Sequence, residues 1–153
     1  MIKLKDVNEE NFWDIIGLEV AEEQAELIVS NAISIAQSKV QPECIPMGIY
    51  HNETAVGFLM YCVYRDDNEY WIYRLMIDTK NQSKGYGREA MEQLLEIIKK
   101  DKSRNKIFLG VDKSGIASVK LYESLGFKFN GQVFGKEHIM LLQYQERAIE
   151  DKV

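Results

Sequence analysis

Residues Gln82, Ser83, Lys84, Gly85, Tyr86, Gly87 and Arg88 place two closely spaced glycines at the start of a strongly periodic helical segment. At such a start the backbone N–H groups lack intrahelical partners and the helix dipole adds partial positive charge, so a phosphate can be held there. Glycine lets the backbone come close to it. A Walker A loop is excluded, because no Gly-Lys-Ser/Thr ends the segment. Gly85, Gly87 and Ala90 match the dinucleotide pattern G-x-G-x-x-G/A with Asp112 further on, but in that motif the first glycine follows its strand almost at once. Here residues 78–84 intervene, and the strands before them read as hairpins. Other reactive side chains are few. Cys44 and Cys62 form no CxxC or Cys/His cluster and His51 and His138 are the only imidazoles, so neither a disulfide framework nor a metal site is expected. His138 reads either as one step of a proton relay or as a structural strand residue. Glu19, Glu22, Glu23 and Glu26 recur at i, i+3, i+4 and i+7, which on a continuous helix sets four carboxylates on one face. That face would attract a polycation; a solvated helix surface is the competing reading.

The elements that position these groups follow from periodicity. Ile2 and Leu4 alternate with Lys3 and Lys5 as an opening strand. From about Glu9 to Val40 the pattern is helical, with Leu18, Ala21, Ala25, Ile28 and Ala32 on one stripe and a break admissible at Gly17; Pro42 and Pro46 end the region. Met47 to His51 and Ala55 to about Arg65 form a hairpin about Asn52 and Glu53, and Tyr70 to Ile77 adds a third strand after the polar tip Asp66, Asp67, Asn68 and Glu69. Beyond the glycine loop, Met91, Leu94, Leu95 and Ile98 define the buried face of a helix. Lys106 to Val111 is a strand, Ile116 to Leu125 a helix closed by Gly126, and Phe127 to Phe134 and Glu137 to Tyr144 are strands about a turn at Gly135.

A chain of 153 residues with 46% hydrophobic content and two prolines fits one domain, residues 1–145, with a charged tail at 146–153. Nineteen basic and 24 acidic side chains give a net charge of −5, which disfavours nucleic acid and favours small or cationic partners. The first residues carry no apolar leader core and no run is long enough to span a membrane, so a cytoplasmic protein is expected. Strands near the C-terminal end leave room for a homodimer.

Two motifs together resemble a known family. Gln82-x-x-Gly85-x-Gly87 follows a strand ending Leu75-Met76-Ile77-Asp78, and Leu121-Tyr122-Glu123-Ser124-Leu125-Gly126-Phe127 comes later; the pair resembles the GNAT N-acetyltransferases, which use acetyl-CoA. Gly48-Ile49-Tyr50, Val56-Gly57-Phe58 with Met60-Tyr61, and Phe129-Asn130-Gly131 are similar to bacterial spermine/spermidine acetyltransferases. The resemblance implies a mixed α/β fold, its largely antiparallel sheet splayed between the Tyr70 to Ile77 and Lys106 to Val111 strands and flanked by helices. It implies that N–H groups of Gln82, Ser83, Lys84, Gly85, Tyr86, Gly87 and Arg88 hold the CoA pyrophosphate. Leu75, Met76 and Ile77 would pair with pantetheine, Ser114, Gly115 and Ser118 would border CoA, and Tyr122 would sit near the sulfur as catalytic acid. At Gly115 the family usually has Asn, so a side-chain contact to CoA is lost or reassigned.

The acceptor implied is a primary amine, foremost a polyamine, with Glu19, Glu22, Glu26 and Tyr73 as substrate residues. An alkylamine of pKa about 10.4 is only about one part in a thousand neutral near pH 7.4, so the site must remove a proton. Polyamine enzymes of the family often carry an acid early in the third strand, where Tyr73 stands here, which leaves the base unassigned. Acetylation of another small amine or a protein N-terminus, and a non-catalytic acetyl-CoA sensor, are the alternatives.

Overall fold

The computed structural model of the chain describes residues 1–25 and 28–144. In chain order the elements are β1 (Ile2–Asp6), α1 (Phe12–Ile16), a 3-10 turn (Glu22–Gln24), α2 (Asn31–Val40), β2 (Cys44–His51), β3 (Thr54–Val63), β4 (Tyr70–Ile77), a 3-10 turn (Thr79–Asn81), α3 (Tyr86–Lys99), β5 (Lys106–Asp112), α4 (Ile116–Ser124), β6 (Lys128–Phe134) and β7 (Glu137–Gln143). One seven-stranded sheet has the order β1-β2-β3-β4-β5-β7-β6. Neighbours are antiparallel except β4 and β5, which run parallel. This is the mixed, largely antiparallel α/β sheet that the resemblance implies.

Alternation along the strands fills two cores, one on each face of the sheet. The larger buries Ile72, Ile107, Leu109 and Met140 against Met91, Leu94, Leu95 and Ile98 of α3, with Tyr122 and Phe127 at its border. Asn52, at φ 56°, allows a two-residue link between His51 and Thr54, and Gly126, at φ 103°, ends α4 in the left-handed region. The smaller core packs Ile15, Phe58, Met60, Cys62 and Met76, with Ile28 and Ile35 beside them.

The long helix expected over residues 9–40 is absent. Its apolar stripe is divided between α1 and α2, which are joined by irregular backbone at residues 18–20 and the 3-10 turn. Tertiary hydrogen bonds decide this. The Glu19 N–H donates to Asp78 Oδ1 at 2.9 Å and the Thr79 N–H donates to the Glu19 carbonyl at 2.7 Å, tying the segment to the end of β4. The Ser30 hydroxyl then caps α2 by accepting the Ile33 N–H at 3.2 Å. Pro46 also departs from expectation, since it lies inside β2. Asp6, the last residue of β1, faces Met47, so at Pro46 the strand is paired on one side only and a missing donor is tolerated.

The parallel join of β4 and β5 covers three registered pairs, Tyr70 with Ile107, Trp71 with Phe108 and Ile72 with Leu109. Trp71 and Phe108 stack at 4.9 Å and pin this closed end. Beyond Ile72 the strands part. At the same point Met60 pairs with Arg74 and Tyr61 with Ile72, which leaves Tyr73 as the extra residue of a β-bulge. The bulge puts Tyr73 and Arg74 consecutively on the α2 face, where strict alternation would separate them.

Candidate active site

The parted strands enclose a cleft of ≈ 460 Å³. Tyr73, Arg74 and Leu75 line it from β4, Gly110 and Asp112 from β5, Ser114, Gly115 and Ser118 from the entry to α4, and Glu137 from β7. Tyr122 also lines it. Nine-tenths of Tyr122 is buried, its ring meets Phe127 edge-on at 6.0 Å, and its hydroxyl has no hydrogen-bond partner among the described residues. Burial alone pushes its pKa up to about 12. The phenol therefore carries its proton throughout the neutral range.

Tyr73 has its own partner. Burial, and the Cys62 thiol beside its hydroxyl, hold its pKa far above the tyrosine norm, while burial lifts the Cys62 thiol to about 11. Arg74 donates to Ser34 Oγ at 3.1 Å, Gln37 Oε1 at 3.1 Å and the Tyr73 carbonyl at 2.9 Å. Burial lowers its pKa from the usual guanidinium value, and the Glu137 charge acts in the opposite sense. Ser114 donates through its N–H at 2.9 Å and its hydroxyl at 2.8 Å to Asp112 Oδ1, which holds that carboxyl below its usual range and fixes the loop into α4.

At the far end of β4 lies the glycine loop. Ser83 at φ 65° and Gly85 at φ 82° both adopt left-handed backbone, and Gly85 precedes α3 with no side-chain cap. The first N–H groups of a 14-residue helix are thus left open beside an exposed Lys84. A Cβ on Gly85 would meet nothing within 4 Å, so the space over the loop is open to a ligand. The loop's side chains mostly serve the fold. Gln82 donates to the Ile77 carbonyl at 3.0 Å and Gln24 Oε1 at 2.8 Å, Tyr86 stacks on His51 at 4.9 Å, and Arg88 donates to Ser124 Oγ at 2.5 Å. It is the backbone of this segment that remains for an anion.

A family model described as acetyltransferase (GNAT) family matches residues 5–127. The chain belongs to the GNAT acetyltransferase family. It is 30% identical to the spermine/spermidine N(1)-acetyltransferase of Bacillus subtilis over 147 residues, covering 92% of this chain and 97% of that protein. Among solved structures, the spermidine N-acetyltransferase of Vibrio cholerae in complex with CoA and spermine superposes with a TM-score of 0.73 at 15% identity, covering 95% of this chain and 96% of that one. The PaiA N-acetyltransferase of Thermoplasma acidophilum in complex with coenzyme A gives 0.72 at 18% identity, covering 94% and 99%. As a GNAT enzyme the protein is an acetyl-CoA-dependent N-acetyltransferase. Its residues fit that donor: an open anion-binding turn, an unpaired edge of β4 beyond Ile72, and a cleft of suitable size follow one another along the strand.

The structure brings together only part of the expected site. Tyr73, Leu75, Ser114, Gly115, Ser118 and Tyr122 share the cleft. Ile77 instead packs where a Gly87 Cβ would lie 3.6 Å from its Cγ1. Met76, Glu19 and Glu22 line a second, mainly apolar cleft of ≈ 620 Å³ between the α1–α2 connection and β4; Ile28 borders both clefts. Glu19 and Glu22 no longer share a helix face, and Glu26 lies outside the described residues. His138 packs edge-on to Phe129 at 6.3 Å and lines neither cleft. Arg74 and Glu137 are cleft residues that sequence reading missed as site groups, and Asp112, weighed there only for the rejected dinucleotide pattern, lines the cleft with them. Their local sequence carries no motif, and only the bulge and the β5–β7 pairing assemble them. Among the described residues no group of three or more His, Cys, Asp or Glu could hold a metal ion, and no helix is long and apolar enough to cross a membrane.

Proposed function

We propose that this acetyltransferase acts on a polyamine such as spermidine or spermine in the cytoplasm, through a single catalytic domain over residues 1–145. The observation that carries the reading is the similarity, over nearly the full length of both chains, to a spermine/spermidine acetyltransferase. The backbone from Gln82 to Arg88 takes the CoA pyrophosphate and the free edge of β4 from Tyr73 to Ile77 takes pantetheine. The thioester then lies between the parted strands, where Tyr122 can reach the sulfur and β4 donors can stabilise the oxyanion. Ser114, Gly115 and Ser118 border the donor. The methylenes of the acceptor run along the apolar cleft beside Glu19 and Glu22.

In the reaction the ammonium first loses one proton and the amine nitrogen attacks the thioester carbonyl. The C–S bond then breaks, and the second nitrogen proton passes to the departing sulfur. Net, one proton leaves with the products. A second reading, a monoamine or protein N-terminus as acceptor, is favoured by one feature: Arg74 puts a fixed positive charge in the cleft. A second copy of the chain along the edge strand β6, where Val133 and Phe134 are exposed, belongs to the same proposal. Thiol release from acetyl-CoA measured with spermine, spermidine, butylamine and a short peptide separates these readings. Turnover with the polyamines above all others is expected, and none with any amine would leave an acetyl-CoA sensor.

A further inference from the structure

Resting on the amine-acceptor reading, we propose that Glu137 is the residue that binds the acceptor's ammonium group at the splay, and that Gly110 keeps room for it. Glu137 opens β7 with its Cα opposite Asp112 of β5. Asp112 Oδ1 is taken up by the two Ser114 donations, whereas no hydrogen bond or ion pair of the Glu137 carboxylate occurs among the described residues, so a cation entering the cleft meets it open. Glu137 is exposed, and its side chain lies across β5, with Oε1 2.9 Å and Cδ 3.2 Å from where a Cβ on Gly110 would stand.

The face is the one that matters. Ile107, Leu109 and Val111 bury themselves on the α3 side of β5, so Gly110 and Asp112 look the other way. Tyr73 and Arg74 are turned to that same side by the bulge. Arg74 is tethered by its three donations to Ser34, Gln37 and Tyr73, and it makes no ion pair within 4 Å of Glu137. Opening onto the same cleft is the Tyr122 hydroxyl, nine-tenths buried with its residue and unpartnered. One space therefore holds an unpaired carboxylate and an unpaired phenol. Those groups match a ligand pair with an ammonium at one end and a thioester sulfur at the other: a primary alkylamine meeting acetyl-CoA.

Glu137→Gln keeps the shape and removes the charge. With spermidine and acetyl-CoA, its KM for the amine should rise about fivefold, as expected for one exposed carboxylate's charge, while the KM for acetyl-CoA stays within about twofold. Glu137→Asp should recover part of the loss. Gly110→Ala, whose Cβ displaces the carboxylate, should give the same selective defect; its melting temperature is measured alongside. An unchanged amine KM in Glu137→Gln overturns the inference. So does a fall in melting temperature with no change in the ratio of the two KM values, the signature of a simple counter-charge to Arg74. A wild-type protein that releases no thiol with any amine overturns the amine reading itself, and this inference with it.

Discussion

Tyr122 illustrates how a magnitude limits a mechanism. With its pKa at about 12, full transfer of its proton to a thiolate of pKa near 8.5 is uphill by about 5 kcal/mol, so its proposed role is to donate a hydrogen bond as charge grows on sulfur. Tyr122→Phe should lower kcat by about 10- to 100-fold and leave the KM for acetyl-CoA within about threefold. Because the phenol does not titrate between pH 6 and 9, the loss should be uniform there; wild-type turnover in the variant would make the ring a packing residue. The same pKa has a consequence for stability. A folded value raised above the unfolded value near 10 stabilises the fold fully below pH 10, and the benefit is lost as pH rises through 12. Urea unfolding at pH 8 and pH 11 should show the wild type losing on the order of 1 kcal/mol relative to Tyr122→Phe. Tyr122 and the glycine loop were legible in the sequence because each sits in a contiguous motif. Glu137 and Arg74 were not, since one reaches the cleft through pairing with a strand 25 residues earlier and the other through a bulge that periodicity cannot register.

The entry to α3 is held by its neighbours and open toward ligand, and this separates stability from binding. A Cβ on Gly87 would meet Ile77 and Leu121 at 3.6 and 3.7 Å, ordinary contact distances. Gly87→Ala should therefore leave the melting temperature within about 2 °C, whereas Gly85→Ala, whose methyl would stand in the open space over the loop, should weaken acetyl-CoA in calorimetry by about fivefold or more. Equal affinity in that variant would move the pyrophosphate elsewhere. Asp78 binds two elements together, accepting the Glu19 N–H while its own N–H donates to the Val56 carbonyl at 2.8 Å. Asp78→Ala strands the Glu19 donor and should cost about 1–3 kcal/mol in urea unfolding; a loss below about 0.3 kcal/mol would show that the α1–α2 connection is held by other contacts. That connection marks the limit of reading elements from periodicity. Helix α3 was clear because Met91, Leu94, Leu95 and Ile98 all face one core. The stripe from Leu18 to Ala32 had helical spacing too, but bonds to residues about 60 positions away hold its first part out of a helix.

Across the molecule, one sheet is closed at one end and open at the other, and charge is distributed over a body of net −5. The antiparallel meander of β2, β3 and β4 was readable from hairpin spacing. The splay came only with the family resemblance and the order β5-β7-β6 only with the structure, because local sequence does not encode which strand crosses over. Two fields compete for the acceptor: Arg74 repels a cation inside the cleft, while Glu137, Asp112, Glu19 and Glu22 at the two clefts attract it. Each exposed carboxylate contributes at most about 1 kcal/mol, so discrimination has to come from several acting together. A trication then gains more than a monocation, and the gain is screened. The Debye length falls from about 20 Å at 20 mM salt to about 4 Å at 500 mM, shorter than a cleft that spans several residues. Spermidine should lose about tenfold or more in kcat/KM between those salts, and butylamine no more than about twofold. Substituting Glu19→Gln with Glu22→Gln should flatten the spermidine response without altering acetyl-CoA binding. Parallel salt curves for the two amines would mean that substrate charge is not sensed at long range, and would transfer the preference to the monoamine or N-terminal acceptor.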